Sequence, residues 1–98
     1  MNAALDIVHD AAAHRLHVDV EGQHCELDYL LAAGIMTITH TGVPPAVEGR
    51  GIAAALVRAA FELARREGWR VIPACSYAAV FVRRHPEYAP LVAPRTTG

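Results

Sequence analysis

Val47 to Glu67 read VEGRGIAAALVRAAFELARRE, and this stretch decides the fold. Ile52, Leu56, Ala60, Leu63 and Ala64 recur at three- and four-residue steps and Val57 widens the stripe, while Arg58, Glu62, Arg65 and Arg66 fall towards the opposite side. That spacing predicts a long amphipathic helix, which Gly68 ends. Its start is the unusual part. Gly49 and Gly51 weaken a helix start by conformational entropy, yet they leave its backbone N–H groups unshielded. Bare amides at a helix N-terminus attract anions. Two glycines alone are equally the mark of a plain turn, so the neighbouring sequence has to decide.

Working outward, Trp69 to Ala74, WRVIPA, is too brief for a helix and reads as a strand. On the other side IMTITHT, Ile35 to Thr41, is a β-branched strand that Gly42 and the Pro44-Pro45 pair terminate. A strand, helix, strand passage of this length predicts a right-handed crossover and a parallel pair. Further upstream Leu16, Val18 and Val20 alternate with Arg15, His17 and Asp19 between His14 and Val20. After the Glu21-Gly22 turn the alternation resumes over His24 to Leu31, with Cys25, Leu27 and Tyr29 on one face, and Ala32-Ala33-Gly34 turns again. Leu5 to His9 is a short apolar stretch that supplies the first strand. Beyond the parallel strand, Cys75-Ser76-Tyr77 leads into AAVFVRRH, a helix with Ser76 as N-cap that Pro86 ends by His85. From Pro90 to Gly98 the chain is expected to be loose. The reading is one domain over residues 1–98, of α/β (α+β) class and order β-β-β-β-α-β-α, an antiparallel meander joined to one parallel pair.

A chain of 98 residues buries roughly 60 to 65% of its unfolded surface and folds without staples. The net charge of −1, with nine arginines and no lysine, excludes a global pull towards nucleic acid. An RNA-binding role for Arg65, Arg66, Arg83 and Arg84 lacks the aromatic platform that single strands need. The two cysteines form neither a disulfide framework nor a zinc knuckle. No apolar run reaches the ~20 residues of a membrane span, and MNAALDIVHD is acidic where a signal peptide is basic. A cytoplasmic protein with reduced thiols, bound neither to membrane nor to nucleic acid, is the expectation. His14, His17 and His24 suggest no metal site, because the first two lie on different sides of a strand.

As a phosphate-binding loop the glycine turn fails, since no Gly-Lys-Ser/Thr follows and nothing is placed to hold magnesium. GRGIAA, residues 49–54, matches the looser G-x-G-x-x-A dinucleotide fingerprint, but hairpin strands precede it and too little chain remains for a doubly wound sheet. The β-branched strand, proline-bearing loop, Gly-x-Ala helix start and following parallel strand together resemble the GNAT acetyltransferase superfamily. The closer resemblance is to small single-domain GNAT-like proteins with an HTEVP…RGxGIA…PxCSY…RHPEY pattern. This chain has HTGVP at 40–44, GRGIA at 49–53, PACSY at 73–77 and RHPEY at 84–88. The resemblance implies a site for acetyl-CoA, or coenzyme A, as acyl donor, and an amine on a small molecule, peptide or protein as acceptor. It implies that amides from Gly49 to Ala54 (Gly49, Arg50, Gly51, Ile52, Ala53 and Ala54) hold the pyrophosphate, with Arg50 meeting a phosphate. It further implies that the pantetheine arm pairs with backbone where two parallel strands splay, here Thr41, Gly42 and Val43 beside Ile72 to Ala74.

In that family the Cys of the PxCSY block, Cys75, is the candidate functional residue near the thioester. It stands between a strand and a helix, a setting that favours thiolate. Cys25 alternates with Leu27 and Tyr29 and reads as core. Two routes stay open: direct attack by the amine, or transfer through Cys75. Direct transfer needs a proton donor for the departing thiolate, for which Tyr77 is the candidate, and a base, for which His40 is the candidate. Packing accounts for either residue as well. The chain departs from the pattern twice. Gly42 stands where the pattern has Glu, so that strand lacks a carboxylate, and Glu48 stands at the Gln/Arg position of the cofactor motif. These departures keep a second function open, a non-catalytic acyl-CoA-binding or interaction module. Arg83 and Arg84 read as a solvated helix end, with the adenosine 3′-phosphate as their alternative use.

Overall fold

Apolar residues at every second position commit most strands to one buried face, and the computed structural model, which describes residues 5–94, assembles five strands, the short first one exposed throughout, into one sheet. Strands β1 (Val8–Asp10), β2 (Arg15–Val20), β3 (Gln23–Ala32) and β4 (Ile35–Gly42) form an antiparallel meander. Strand β5 (Arg70–Pro73) lies parallel to β4. A 3-10 turn (Pro45–Val47) and helix α1 (Ile52–Glu67) make the crossover, and helix α2 (Ser76–Arg84) with a second 3-10 segment (Pro86–Leu91) follows β5. This is the expected order. The first strand lies later than the apolar stretch from Leu5 suggested, because pairing is confined to Val8–Asp10 against Arg15–His17.

Leu16, Val18, Cys25, Leu27, Tyr29, Met36 and Ile38 are buried, and so is the whole predicted stripe of α1: Ile52, Leu56, Val57, Ala60, Leu63 and Ala64. Phe61 falls outside that stripe and is nevertheless fully buried. Helix α1 has α2 as a neighbour besides the sheet, and the Phe61 ring stacks on Phe81 with centroids 5.9 Å apart. Its burial contributes on the order of 1.5–3 kcal/mol. On the other side of the sheet Glu26, Asp28 and Thr37 are half-buried, and Leu30, His40 and Ile72 are exposed.

Two irregularities shape the end of β4. Asp28 faces His40 while Tyr29 faces Ile38, so Thr39 is an extra residue on β4, a β-bulge. The bulge resets the alternation: after Met36 and Ile38 the next buried residue is Thr41, and His40 is exposed. The parallel ladder stops at the Ile38–Pro73 pair, beyond which the N–H groups of Ala74 and Cys75 both donate to the Ile38 carbonyl at 3.0 Å. The strands therefore part from Thr39 onwards. This corrects the expected position of the splay: Ile72 and Pro73 are paired with Thr37 and Ile38, and the open wedge lies between the end of β4 and Ala74–Cys75.

The segment after α2 is held down. Buried Tyr88 donates its hydroxyl to Glu62 at 2.6 Å and accepts from Arg58 at 3.2 Å, while the Arg58 guanidinium lies over the Phe81 and Tyr88 rings. The bond to Glu62, and after it burial, raise the Tyr88 phenol above its ordinary range against the opposing pull of Arg58. Val92 bridges Val71, and the Ala93 N–H donates to the Val71 carbonyl at 2.8 Å. The expectation of a tail loose from Pro90 is corrected to that extent. Residues 95–98 lie outside the described residues. No helix among the described residues is long and apolar enough to cross a membrane.

Candidate functional site

Helix α1 starts on glycine because the chain enters it through a left-handed turn: Gly49 has φ +82° and Gly51, the N-cap, has φ +76°. A Cβ built at either position would meet nothing within 4 Å, so conformation and not crowding calls for glycine. Among the described residues no side chain caps the first-turn amides. They border a cleft of about 260 Å³ lined by Val43, Glu48, Gly49, Gly51, Ile52, Ala53, Ala54 and Tyr77. A second, mostly apolar cleft of about 330 Å³ shares Ala53, Ala54 and Tyr77 with the first and continues along α2 to Arg84 and His85. The small side chains of α1 keep the two joined.

Helix α2 starts differently. Its N-cap is Cys75, not the expected Ser76: the Cys75 backbone is extended, and Sγ accepts the Ala78 N–H at 3.4 Å. The same sulfur lies 3.5 Å from Oγ1 of buried Thr41. The bulge at Thr39 brings these two together across the wedge, because it turns Thr41 inward. Cys25, by contrast, is wholly buried, and its thiol is pushed up by desolvation and, less, by Asp19.

The structure thus gathers Val43, Gly49, Gly51, Ile52, Ala53, Ala54 and Tyr77 along one cleft and joins Thr41 to Cys75 beside the wedge. Tyr77 is about half exposed. Arg50 is drawn elsewhere: its guanidinium makes a two-point pair with Glu21, the second contact at 3.3 Å, which raises the Arg50 pKa and lowers that of Glu21. Glu48 pairs with neither and lines the cleft. His40, next to Gly42, is exposed and lies 3.4 Å from a Glu26 oxygen. Glu26, Asp28 and His40 bring ligand-type atoms within 4.8 Å of one another, but Arg15 already binds Asp28 at 2.6 Å and reaches Glu26 at 3.7 Å. Those contacts with Asp28, and less with Glu26, raise the Arg15 pKa.

Sequence reasoning missed Glu26, which reads only as the polar side of a strand, and gave His85 no role, while Arg84 had the adenosine 3′-phosphate only as its alternative use. The spacing Ala53, Ser76-Tyr77, Arg84 carries no local signal of proximity; only the packing of α1 on α2 creates it.

Comparison with known proteins agrees with this architecture. A model of the family described as GCN5-related N-acetyl-transferase matches residues 14–91. Protein NATD1 of Bos taurus is 32% identical over 83 residues, spanning 82% of this chain and 74% of that protein. The solution structure of a GCN5-like protein from Staphylococcus aureus superposes with a TM-score of 0.71 at 22% identity, over 94% of this chain and 91% of the other, a likeness of fold.

Proposed function

The chain belongs to the GCN5-related N-acetyltransferase family, and from that premise we propose that it binds acetyl-CoA along the two joined clefts and transfers the acetyl group to an amine. The observation that carries this reading is the uncapped, glycine-built start of α1 opening onto a cleft beside the β4–β5 wedge. The residues present fit the ligand. Free first-turn amides and the helix dipole suit a pyrophosphate, and the absence of Cβ atoms at Gly49 and Gly51 leaves the approach open. Beyond Ile38 the β5-facing edge of β4 has no strand partner, which suits pairing with an extended amide-bearing arm. Arg84 and His85, at the far end of the second cleft, suit the 3′-phosphate.

When bound, acetyl-CoA supplies an activated acyl thioester. Cys75 is held by Thr41 and Ala78 at the wedge, the position for either a covalent relay or a hydrogen bond to the departing sulfur. Tyr77, at the junction of the clefts, is the proton donor in the direct route. We assign the protein to a cytoplasm, where the free thiols of Cys25 and Cys75 stay reduced.

Calorimetric titration with CoA tests the binding step; saturable binding at micromolar to millimolar ligand is expected, and none at millimolar concentration would remove the assignment. Intact-mass measurement after incubation with acetyl-CoA then divides the routes. An acetyl adduct that disappears in Cys75→Ala supports the relay, and transfer to amines without any adduct supports direct attack. Binding with neither transfer nor thioester loss identifies a non-catalytic acyl-CoA-binding module, the reading that Glu48 in the cleft favours.

A further inference from the structure

Gly42 lies in β4 with an ordinary, not left-handed, φ, so its backbone does not require glycine. Space does. A Cβ at position 42 would stand 2.9 Å from His40 Nε2 and 3.8 Å from Glu26 Cγ. Glu26 is the residue directly paired with Gly42 across the β3–β4 ladder. Where the resembled pattern carries its own carboxylate on β4, this chain leaves a gap, and the gap is filled by an imidazole from two residues upstream and a carboxylate from the neighbouring strand. The two oxygens of Glu26 are divided: Oε1 is approached by Arg15 at 3.7 Å and His24 at 3.5 Å, while Oε2 faces His40 Nε2 at 3.4 Å. Arg15 is itself locked to Asp28 at 2.6 Å, so the carboxylate is braced from β2 and β3 before it meets the histidine. The bulge at Thr39 supplies the last condition, because it puts His40 on the open face at the wedge while Thr41 and Cys75 meet on the other side.

We propose that Glu26 and His40 together replace the missing β4 carboxylate as the proton-accepting group of the transfer reaction, with Gly42 as the residue that makes room for them. The inference rests on the acetyltransferase reading. Glu26 acts as a positioning residue: its Oε2 faces Nε2 at 3.4 Å without a formed hydrogen bond, and on tightening it accepts from Nε2–H and selects the tautomer whose Nδ1 carries the lone pair. Contacts of this kind are often long before substrate binds and tighten in the complex. An acceptor ammonium arriving from the open face loses one proton to His40 Nδ1, which returns it to solvent. The freed nitrogen lone pair forms the N–C bond, the thioester C–S bond breaks with its electrons going to sulfur, and the second nitrogen proton ends on that sulfur. The groups facing His40 are Glu26 and Asp28, with Arg15 and His24 behind them, so an acceptor carrying positive charge suits this face.

The test uses the whole chain, acetyl-CoA, and primary amines or water as acceptors. Imidazole ¹⁵N shifts should show His40 as the Nε2–H tautomer in the wild type and as a mixture in Glu26→Gln and in Gly42→Ala, whose new methyl group pushes the ring off Glu26. CoA affinity should be unchanged in Glu26→Gln and in His40→Ala, which leave the β4 backbone as it is. Thioester consumption should fall on the order of 10²- to 10⁴-fold in His40→Ala and by about tenfold or more in Glu26→Gln, in kcat rather than in KM for acetyl-CoA. Adding Gly42→Glu to His40→Ala should recover part of the loss, which a merely structural role for His40 would not allow. A His40 tautomer insensitive to Glu26, or wild-type rates in His40→Ala with CoA still bound, overturns the pair and leaves the coenzyme site standing. A protein that binds acetyl-CoA and consumes no thioester overturns it too, since no proton is then moved. Failure to bind CoA at all overturns the acetyltransferase reading, and the pair with it.

Discussion

Helices α1 and α2 both begin beside the adjoining clefts that share Ala53, Ala54 and Tyr77, and they deal with the same physical problem in opposite ways. Every helix leaves its first amides without intrahelical acceptors. At the start of α1 no side chain among the described residues answers them: the N-cap is a left-handed glycine, and Glu48 and Arg50, its charged neighbours, do not supply a cap. At the start of α2 they are answered from within, by a sulfur that accepts the Ala78 N–H. The difference teaches how demand for an acceptor becomes function. Left open, it suits the anion that the proposed function places there; satisfied by a thiol, it fixes that thiol at the wedge, where Thr41 holds it from the other side.

The comparison breaks most sharply at Gly51. Valine there has to adopt φ near +76°, a conformation that costs an L-residue about 1–2 kcal/mol and a β-branched one no less. The turn then moves, the first-turn amides no longer converge, and CoA affinity should fall by more than about tenfold. Thermal unfolding should shift down by roughly 4–8 °C per kcal/mol lost, in a domain of this size. A folded Gly51→Val protein with wild-type CoA affinity would show that the glycine start does not make the site.

Next in size is the cap of α2. Cys75→Ala removes the acceptor of the Ala78 N–H and should cost about 1 kcal/mol, whereas Cys75→Ser keeps a cap and should cost less. Cys75→Ser thus separates capping from thiol chemistry: stability is largely retained while any acetyl adduct is lost. Thiol-specific labelling of the native protein sharpens the same point, because Cys25 is wholly buried with its thiol pushed up, so Cys75 should be labelled first. Labelling of both cysteines at equal rates would mean that the burial contrast does not hold in solution.

These residues also show what can be read from a one-dimensional chain. The order of elements was legible because alternation in β2 and β3, the 3.6-residue stripe of α1 and the glycine and proline punctuation are local signals. The glycine start of α1 was legible for the same reason. The bulge was not: Thr39, His40 and Thr41 look like the polar end of a strand, and only the register against Asp28 and Tyr29 shows that Thr41 turns inward and His40 outward. Ser76 outranks Cys as a capping residue by propensity, yet Cys75 takes the cap because the chain leaves β5 with two amides on one Ile38 carbonyl and enters α2 a residue earlier. Tyr88 was legible only as the last residue of the RHPEY block and is a buried anchor on Glu62 and Arg58, contacts 26 and 30 residues distant in sequence. Glu26 gains its place only through the β3–β4 pairing; Arg84 and His85 stand in the RHPEY block, but their place in a cleft follows only from the packing of α1 on α2.

The smallest expected effect concerns the charge that stands beside α1 without capping it. Arg50 is paired with Glu21, from the β2–β3 turn, and both side chains are substantially exposed. An exposed pair of this kind contributes little to stability. Because Arg50 holds the Glu21 carboxyl below its ordinary value of 4.5, the contribution is complete above that pH and is lost as pH falls through the lower folded value. Glu21→Gln should therefore unfold almost with the wild type at neutral pH, and what difference exists should vanish in acid. Its effect on binding has the opposite sign. With Glu21 neutral, Arg50 no longer has a fixed carboxylate to serve, and a phosphate in the adjacent cleft becomes its strongest available partner against the repulsion of Glu48. CoA should bind a few-fold more tightly, a gain well under 1.4 kcal/mol, and the gain should shrink as salt rises. Dephospho-CoA, which keeps the pyrophosphate and lacks the 3′-phosphate, should show the same gain if Arg50 turns to the α1 end of the cleft. A gain confined to intact CoA would assign the freed guanidinium to the wrong end, and unchanged affinity in both would mean that Arg50 plays no part in the difference between the two helix starts.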